Sequence, residues 1–292
     1  MIDRQRLLKD LQQQVKALET DLREQVESLA DIRGPLRAEY DKAFRLGRTA
    51  ATWAVWRDER VTQAAVAWVL GTVFVRYCED NGLLGESVYL AGPDAARMAL
   101  AEESHEEYFR RFPSRTDRDW LLEAFDEIAR SQAGRLLFDR EHNPAYQIPI
   151  SHDAADALIA FWRRRGEDGG LVHDFTGDDT RFLGDLYQDL SEQARKTYAL
   201  LQTPEFVEEF ILDLTLTPAI DEFGHDVVRM IDPTCGSGHF LLGAFRRLLA
   251  QWEEHAPARD RHEQVRLALD AVHGGDINPF AVAIARFRLL VE

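Results

Sequence analysis

Ile231-Asp232-Pro233-Thr234-Cys235-Gly236-Ser237-Gly238-His239-Phe240 is the stretch that decides how this chain is read. It ends the apolar, β-branched run 227–231 (VVRMI) and leads into a helical pattern over 239–252. Strand, glycine turn and helix in that order open an α/β nucleotide-binding unit. The run 227–231 is expected as a buried parallel strand, with Asp232 at its carboxyl end, the ligand edge of such sheets. Gly236 and Gly238 permit a sharp turn and a close approach of backbone to ligand. The first amides of the following helix point to the same place and favour a carboxylate or a phosphate. Asp232 can pair there with an ammonium group. A ligand that carries both an ammonium and a carboxylate is an amino acid.

Competing readings of the glycines differ in what they require. A P-loop needs a Lys directly after its last glycine, where this chain has His239. A dinucleotide fingerprint needs a third glycine at the position of Leu241. A plain tight strand-to-helix turn is left open by composition. Cys235 reads as a small buried residue, since no base or metal ligand accompanies it. His239 reads as a solvent-facing residue of the first helical turn. No metal site is expected.

Beyond this stretch, a second helix is expected over 263–271, then a second turn at Gly274-Gly275-Asp276 and an apolar-periodic helix through Phe280, Ile284, Phe287 and Val291. Upstream, residues 34–190 carry a helical pattern with little strand signal. The run 62–78 (TQAAVAWVLGTVFVRYC) is apolar around its circumference and is expected as a buried central helix ended by Asn81-Gly82. Residues 87–93 read as loop, Trp120, Phe125 and Ile128 as one helix face, and Ser151-His152-Asp153 as a helix start. Arg163-Arg164-Arg165 reads as a solvated helix end. The first 33 residues place Leu8, Val15, Leu22 and Leu29 at one heptad position and Leu11, Leu18 and Gln25 at the other. A helix laid on the protein's own body is favoured over an intermolecular coiled coil, with Gly34-Pro35 as its stop.

Composition narrows the class. The 292 residues are 45% hydrophobic and 29% charged, which argues against a disordered chain. No apolar run reaches the ~20 residues of a membrane span, and no signal-peptide pattern is present. Two cysteines make no disulfide framework, so a cytoplasmic setting is expected. A net charge of -16 argues against nucleic-acid binding by charge alone.

The run DPTCGSGHFLLGAF, residues 232–245, resembles the S-adenosylmethionine motif of adenine-specific DNA methyltransferases. Two further segments agree in order. Leu186-Tyr187-Gln188-Asp189-Leu190 with residues 195–207 resembles the entry segment, in which Thr-Pro opens a helix. Gly274-Gly275-Asp276-Ile277-Asn278-Pro279-Phe280 resembles the second-strand motif. With the helical region before them, the chain resembles the large PglX-type methyltransferases of BREX phage-defence systems, with combined restriction–methylation enzymes nearby. The resemblance implies a Rossmann-like α/β methyltransferase domain, incomplete over 191–292, preceded by an all-α domain over 34–190. It implies S-adenosylmethionine as cofactor, with Thr203 and Pro204 bordering its methionine carboxylate and Asp232 taking its ammonium. Gly236, Ser237 and Gly238 would pass under the methionine and ribose, with Pro233 and Cys235 counted among the cofactor-binding residues of the motif, and Phe240 would brace the turn. Asp276 would accept the ribose hydroxyls, Ile277 would pack on the adenine face, and Asn278 completes that motif.

Such enzymes flip the target adenine into a pocket headed by Asn-Pro-Pro and an aromatic residue. This sequence has no such tetrapeptide; Asn143-Pro144-Ala145-Tyr146 precedes the cofactor motifs and reads as a turn, and Asn278-Pro279-Phe280 belongs to the ribose motif. No catalytic residue is therefore assigned. The helix reaching Glu292 has no stop signal, so the catalytic loop, the target-recognition domain and most contacts to double-stranded DNA are expected beyond it. The chain alone is expected to be inactive. Defence-system proteins are expected to dock on the helical N-terminus. A non-catalytic interaction module, or a methyltransferase of RNA or protein, is the alternative.

Overall fold

The long apolar stretch becomes the central helix that its composition calls for. In the computed structural model, which describes residues 3–167, 169–177, 180–190 and 203–292, helix α3 (Trp53–Asp80) is buried without interruption over 64–80. Thr52 caps its start through Val55 N, and Asn81 with Gly82 in the left-handed conformation ends it. By length and composition α3 could cross a membrane, contrary to the expectation that no run qualifies. Yet 89% of its most apolar window is buried within the protein. Residues 195–202 of the expected entry segment lie outside the described residues.

The chain divides into two units, one of Met1–Ser131, Phe138–Asp178 and Asp189–Ala194, the other of Gln132–Leu137, Asp179–Gln188 and Arg195–Glu292. In the first, α1 (Arg4–Ser28) lies along α3 and buries Leu7, Leu11, Val15, Leu18, Leu22 and Val26. This bears out a helix packed on its own body but corrects the frame. Leu7 replaces Leu8, Val26 replaces Gln25, and Leu29 is exposed as the C-cap. Gly34-Pro35 does not stop it either. The break comes at Leu29, and α2 (Ala30–Arg45) runs through Pro35. The carbonyl that Pro35 leaves without a donor belongs to Asp31, which is exposed and open to water.

Helices α4 (Ala95–Arg111), α5 (Asp117–Ala129) and α6 (His152–Trp162) complete this unit. Trp120, Phe125 and Ile128 are buried as expected, and Ser151 caps α6 through Ala154 N. Inside, the Glu79 carboxylate accepts four successive amides of the 87–93 loop, from Tyr89 to Gly92, at 2.6–3.1 Å. Arg76 bridges Glu79 at 3.1 Å and Asp80 at 2.8 Å, all fully buried. The arginine triplet is not merely solvated. Arg163 donates to Leu90 O at 2.8 Å, Arg164 pairs with Asp10 at 2.8 Å, and Arg165 donates to Gly169 O at 3.0 Å. Asn143 accepts from Ala145 N at 2.9 Å in a 3-10 turn, Pro144–Tyr146, as the turn reading anticipates.

The second unit holds α7 (Arg181–Leu190), α8 (Glu205–Leu214), α9 (Leu216–Phe223), β1 (Met230–Asp232), α10 (His239–His255), α11 (Arg261–Leu269), β2 (Val272–Gly274) and α12 (Pro279–Val291). It is mostly helical, with two parallel strands among the described residues. Met230 pairs with Val272, Ile231 with His273 and Asp232 with Gly274, joined through α10 and α11. Parallel neighbours need such a crossover. The strand is shorter than 227–231 and is not buried: Val227 and Ile231 are 62% and 71% exposed. Its inner side rests on Leu212, Ala244, Phe245, Leu248 and Trp252, while Ile231 points away from that cluster.

Candidate functional site

Because Asp232 is level with Gly274, both chain segments leave the sheet at one edge. Their turns are laced together. Gly275 N donates to Asp232 O at 2.9 Å, and Cys235 N donates to Gly275 O at 3.0 Å. Asp276 Oδ2 accepts from Gly236 N at 3.0 Å, and its Oδ1 accepts from Asn278 N at 2.8 Å. Asp232 Oδ1 accepts from Thr234 N at 3.0 Å. Two carboxylates separated widely in sequence thus flank one glycine loop.

The glycines are used for different purposes. Gly236 has φ +52° and Gly238 φ +90°, conformations that cost an L side chain energy. A Cβ on Gly238 would also stand 2.8 Å from Ala285 Cβ, so this residue makes room for α12 rather than for a ligand. A Cβ on Gly274 would lie 3.1 Å from Cys235 Sγ, which lets the buried thiol sit against β2. Burial pushes the Cys235 thiol up to about 11, helped by the Asp232 and Asp276 charges. Such a thiol is no nucleophile at neutral pH.

A cavity of about 860 Å³ opens above these turns, within the usual range for small-molecule sites. Of the residues singled out from sequence, Thr203, Asp232, Pro233, Cys235, Gly236, Ser237, Phe240, Asp276 and Ile277 line it. Pro204, Gly238 and Asn278 do not. Pro204 is the N-cap of α8, Gly238 that of α10, and Asn278 that of α12. Asn278 Oδ1 accepts from Phe280 N at 3.1 Å, and its Nδ2 donates to the Tyr187 hydroxyl at 2.6 Å. Ile277 is 83% exposed at the rim.

His239 is the clearest correction. It is buried, with Nε2 3.3 Å from Asp185 Oδ1 on α7, instead of facing solvent. Burial alone would raise the Asp185 carboxyl, but His239 beside it, with the Arg181 and Arg288 charges, holds it below the usual range. Helix α7 comes this close because its Gly184 has no side chain; a Cβ there would meet Ser237 Oγ at 2.6 Å. Arg288 Nη1 donates to Ser237 O at 2.6 Å from the other side. Thr203 is placed through its carbonyl, which accepts from Arg181 Nη2 at 3.0 Å, while Arg181 Nη1 pairs with buried Glu208 at 2.7 Å.

Gln188 also lines the cavity, and no role was assigned to it from sequence. The signal was available: it lies four residues after Gly184, on the same face of an amphipathic helix, inside a segment already singled out. The arrangement offers carboxylates for an ammonium and for hydroxyls, a glycine loop at a helix start for an anion, and apolar walls.

Comparison with known proteins gives a family likeness. Residues 224–292 match the model of the MmeI DNA-methyltransferase domain. The chain is 64% identical over 300 aligned positions to an adenine-specific methyltransferase PglX of Streptomyces coelicolor (strain ATCC BAA-471 / A3(2) / M145). That alignment covers 100% of this chain and 25% of the relative, so the chain spans about a quarter of the length of the curated protein it matches. No solved structure matches.

Proposed function

We propose that this chain carries the S-adenosylmethionine site of an adenine-specific DNA methyltransferase that acts on adenine N6 in double-stranded DNA. The observation that carries the proposal is the cavity at the carboxyl edge of β1 and β2, with Asp232, the Gly236–Gly238 loop and Asp276 around it. The residues suit the cofactor. The buried Ser237 hydroxyl has no partner among the described residues and lines the cavity, as a group meant for a polar ligand would. Thr203, Asp232 and Ser237 would hold the amino-acid end, and Asp276 the ribose. Bound there, S-adenosylmethionine supplies an electrophilic methyl group on its sulfonium.

The protein's own contribution at this site is binding and orientation. The Asp232 carboxylate fixes one end of an extended ligand and the Asp276 carboxylate the middle, which aims whatever lies between them. Phe240 and the rim residue Ile277 add apolar surface to the walls. Positioning of this kind converts binding energy into rate. The two parallel strands joined through α10 and α11 support a Rossmann-like sheet as the finer description of the fold. The motif resemblance to PglX-type methyltransferases is consistent with a role in BREX-type phage defence, with the helical first unit as the surface for partner proteins of that system and the cytoplasm as the setting.

The test is transfer of a labelled methyl group from S-adenosylmethionine to duplex DNA by the full-length protein, with the product identified by digestion to nucleosides. N6-methyladenine that disappears in Asp232→Asn is the expected result. Label found in protein, RNA or cytosine instead would overturn the assignment.

A further inference from the structure

Four buried polar atoms at the cavity have no hydrogen-bond partner among the described residues: Gln188 Oε1, Ser237 Oγ and both ring nitrogens of His239. Gln188 is 4% exposed and Ser237 1%, and both line the cavity. Buried polar groups in folded proteins are nearly always paired, so an exception at a cavity wall marks a place for a ligand atom. Ser237 belongs to the glycine loop. Gln188 comes from α7, an element outside the strand–turn–helix unit.

Helix α7 is pinned onto that loop at three points. Gly184 lies against Ser237, Asp185 stands 3.3 Å from His239, and the Tyr187 hydroxyl accepts from Asn278. Gln188 is one helical turn beyond Gly184 on the same face, so its side chain is directed to the loop side of the helix. The orphaned atom is a carbonyl oxygen, which can only accept. It needs a donor from the ligand. An amino-acid end has one group with hydrogens to give at neutral pH, its ammonium, and that group has three. Asp232 cannot satisfy all of them alone, because a single carboxylate meets a tetrahedral ammonium from one side, and its Oδ1 is shared with Thr234 N. A neutral amide oxygen completes the ammonium's shell without setting a second carboxylate beside Asp232.

We infer that Gln188 is a ligand-binding residue of this cavity, its side-chain oxygen sharing with Asp232 the ammonium of the ligand's amino-acid end. The inference rests on the S-adenosylmethionine reading and adds to it a residue that makes the site select ligands with an intact α-amino group. The Asp185–His239 pair then acts as a positioning contact, holding α7 where Gln188 can reach.

Two nucleosides separate the possibilities in calorimetric titrations of the full-length protein. S-adenosylhomocysteine carries the amino-acid end; 5′-methylthioadenosine lacks it but keeps the adenine and ribose. Gln188→Leu, similar in size but without an acceptor, is expected to weaken S-adenosylhomocysteine about ten- to a hundredfold. Methylthioadenosine should be unaffected, and that result also shows the variant to be folded. Gln188→Glu, which keeps an acceptor, should retain S-adenosylhomocysteine far better than Gln188→Leu. Wild-type affinity for S-adenosylhomocysteine in Gln188→Leu, or equal weakening of both ligands in both variants, would overturn the inference while leaving the cofactor site standing. Failure of the wild-type protein to bind either nucleoside would remove the inference together with the proposed function.

Discussion

Replacing Gly238 with alanine tests whether the glycine loop is shaped by α12. The residue has φ +90°, where an L side chain costs ~1–2 kcal/mol. The added Cβ would stand 2.8 Å from Ala285 Cβ and 3.2 Å from Ala285 Cα. Those atoms belong to a packed helix and cannot swing away as a flexible side chain could, so overpacking adds ~1–3 kcal/mol. Together the two effects destabilise the loop and its helices by roughly 2–5 kcal/mol. Gly275→Ala is the matched control. It has no positive φ, and nothing lies within 4 Å of its Cβ position, so its cost should stay within ~0.5 kcal/mol. Hydrogen exchange of amides in α10 and α12 reads the effect locally, which suits a chain of two units. Exchange should accelerate by tens- to thousandsfold in Gly238→Ala and hardly at all in Gly275→Ala. Equal exchange in the two variants would refute the packing argument and return Gly238 to the role of a ligand-clearance glycine.

Two other perturbations discriminate as well. His239→Ala removes a buried partner of Asp185 and should weaken S-adenosylhomocysteine binding severalfold, with faster exchange in α7; a silent variant would mean that the contact positions nothing. In the first unit, burial raises the Asp80 carboxyl to about 7 despite the Arg76 charge. Its folded pKa lies above the unfolded value, so the folded state binds the extra proton between about pH 4 and 7, and stability falls as pH rises through that window. Urea unfolding at several pH values should therefore show Asp80→Asn gaining on the wild type as pH rises. A constant difference, or one of opposite sign, would contradict the burial argument.

The loop was legible because its determinants are local. Asp232, the two glycines and the helix after them act within a few residues, and Asp276 announces itself by a second glycine turn. What tertiary packing decides was not legible. Nothing next to His239 in sequence reveals that α7 covers it, and the permissive residue is Gly184 on another element. Gln188 was missed for the same reason, although its helix was singled out. In α1 the adjacent Leu7 and Leu8 both fit an apolar stripe, and contact with α3 selects Leu7. Pro35 was given too much weight as a helix breaker, since an exposed carbonyl can be left to water. The brevity of β1 follows from pairing with β2 over three residues, a limit that the apolar run 227–231 does not encode.

Titration of S-adenosylmethionine into the full-length protein and its Asp232→Asn variant tests the central claim most directly. The amide keeps an oxygen for Thr234 N and so preserves the turn, but it removes the charge that the ammonium needs. One site per chain is expected in the wild type, and a charge-assisted contact of ~1.5–3 kcal/mol makes the variant about ten- to a hundredfold weaker. Equal affinities in the two proteins, or no binding by the wild type, would contradict the account and leave residues 231–240 as a tight turn alone.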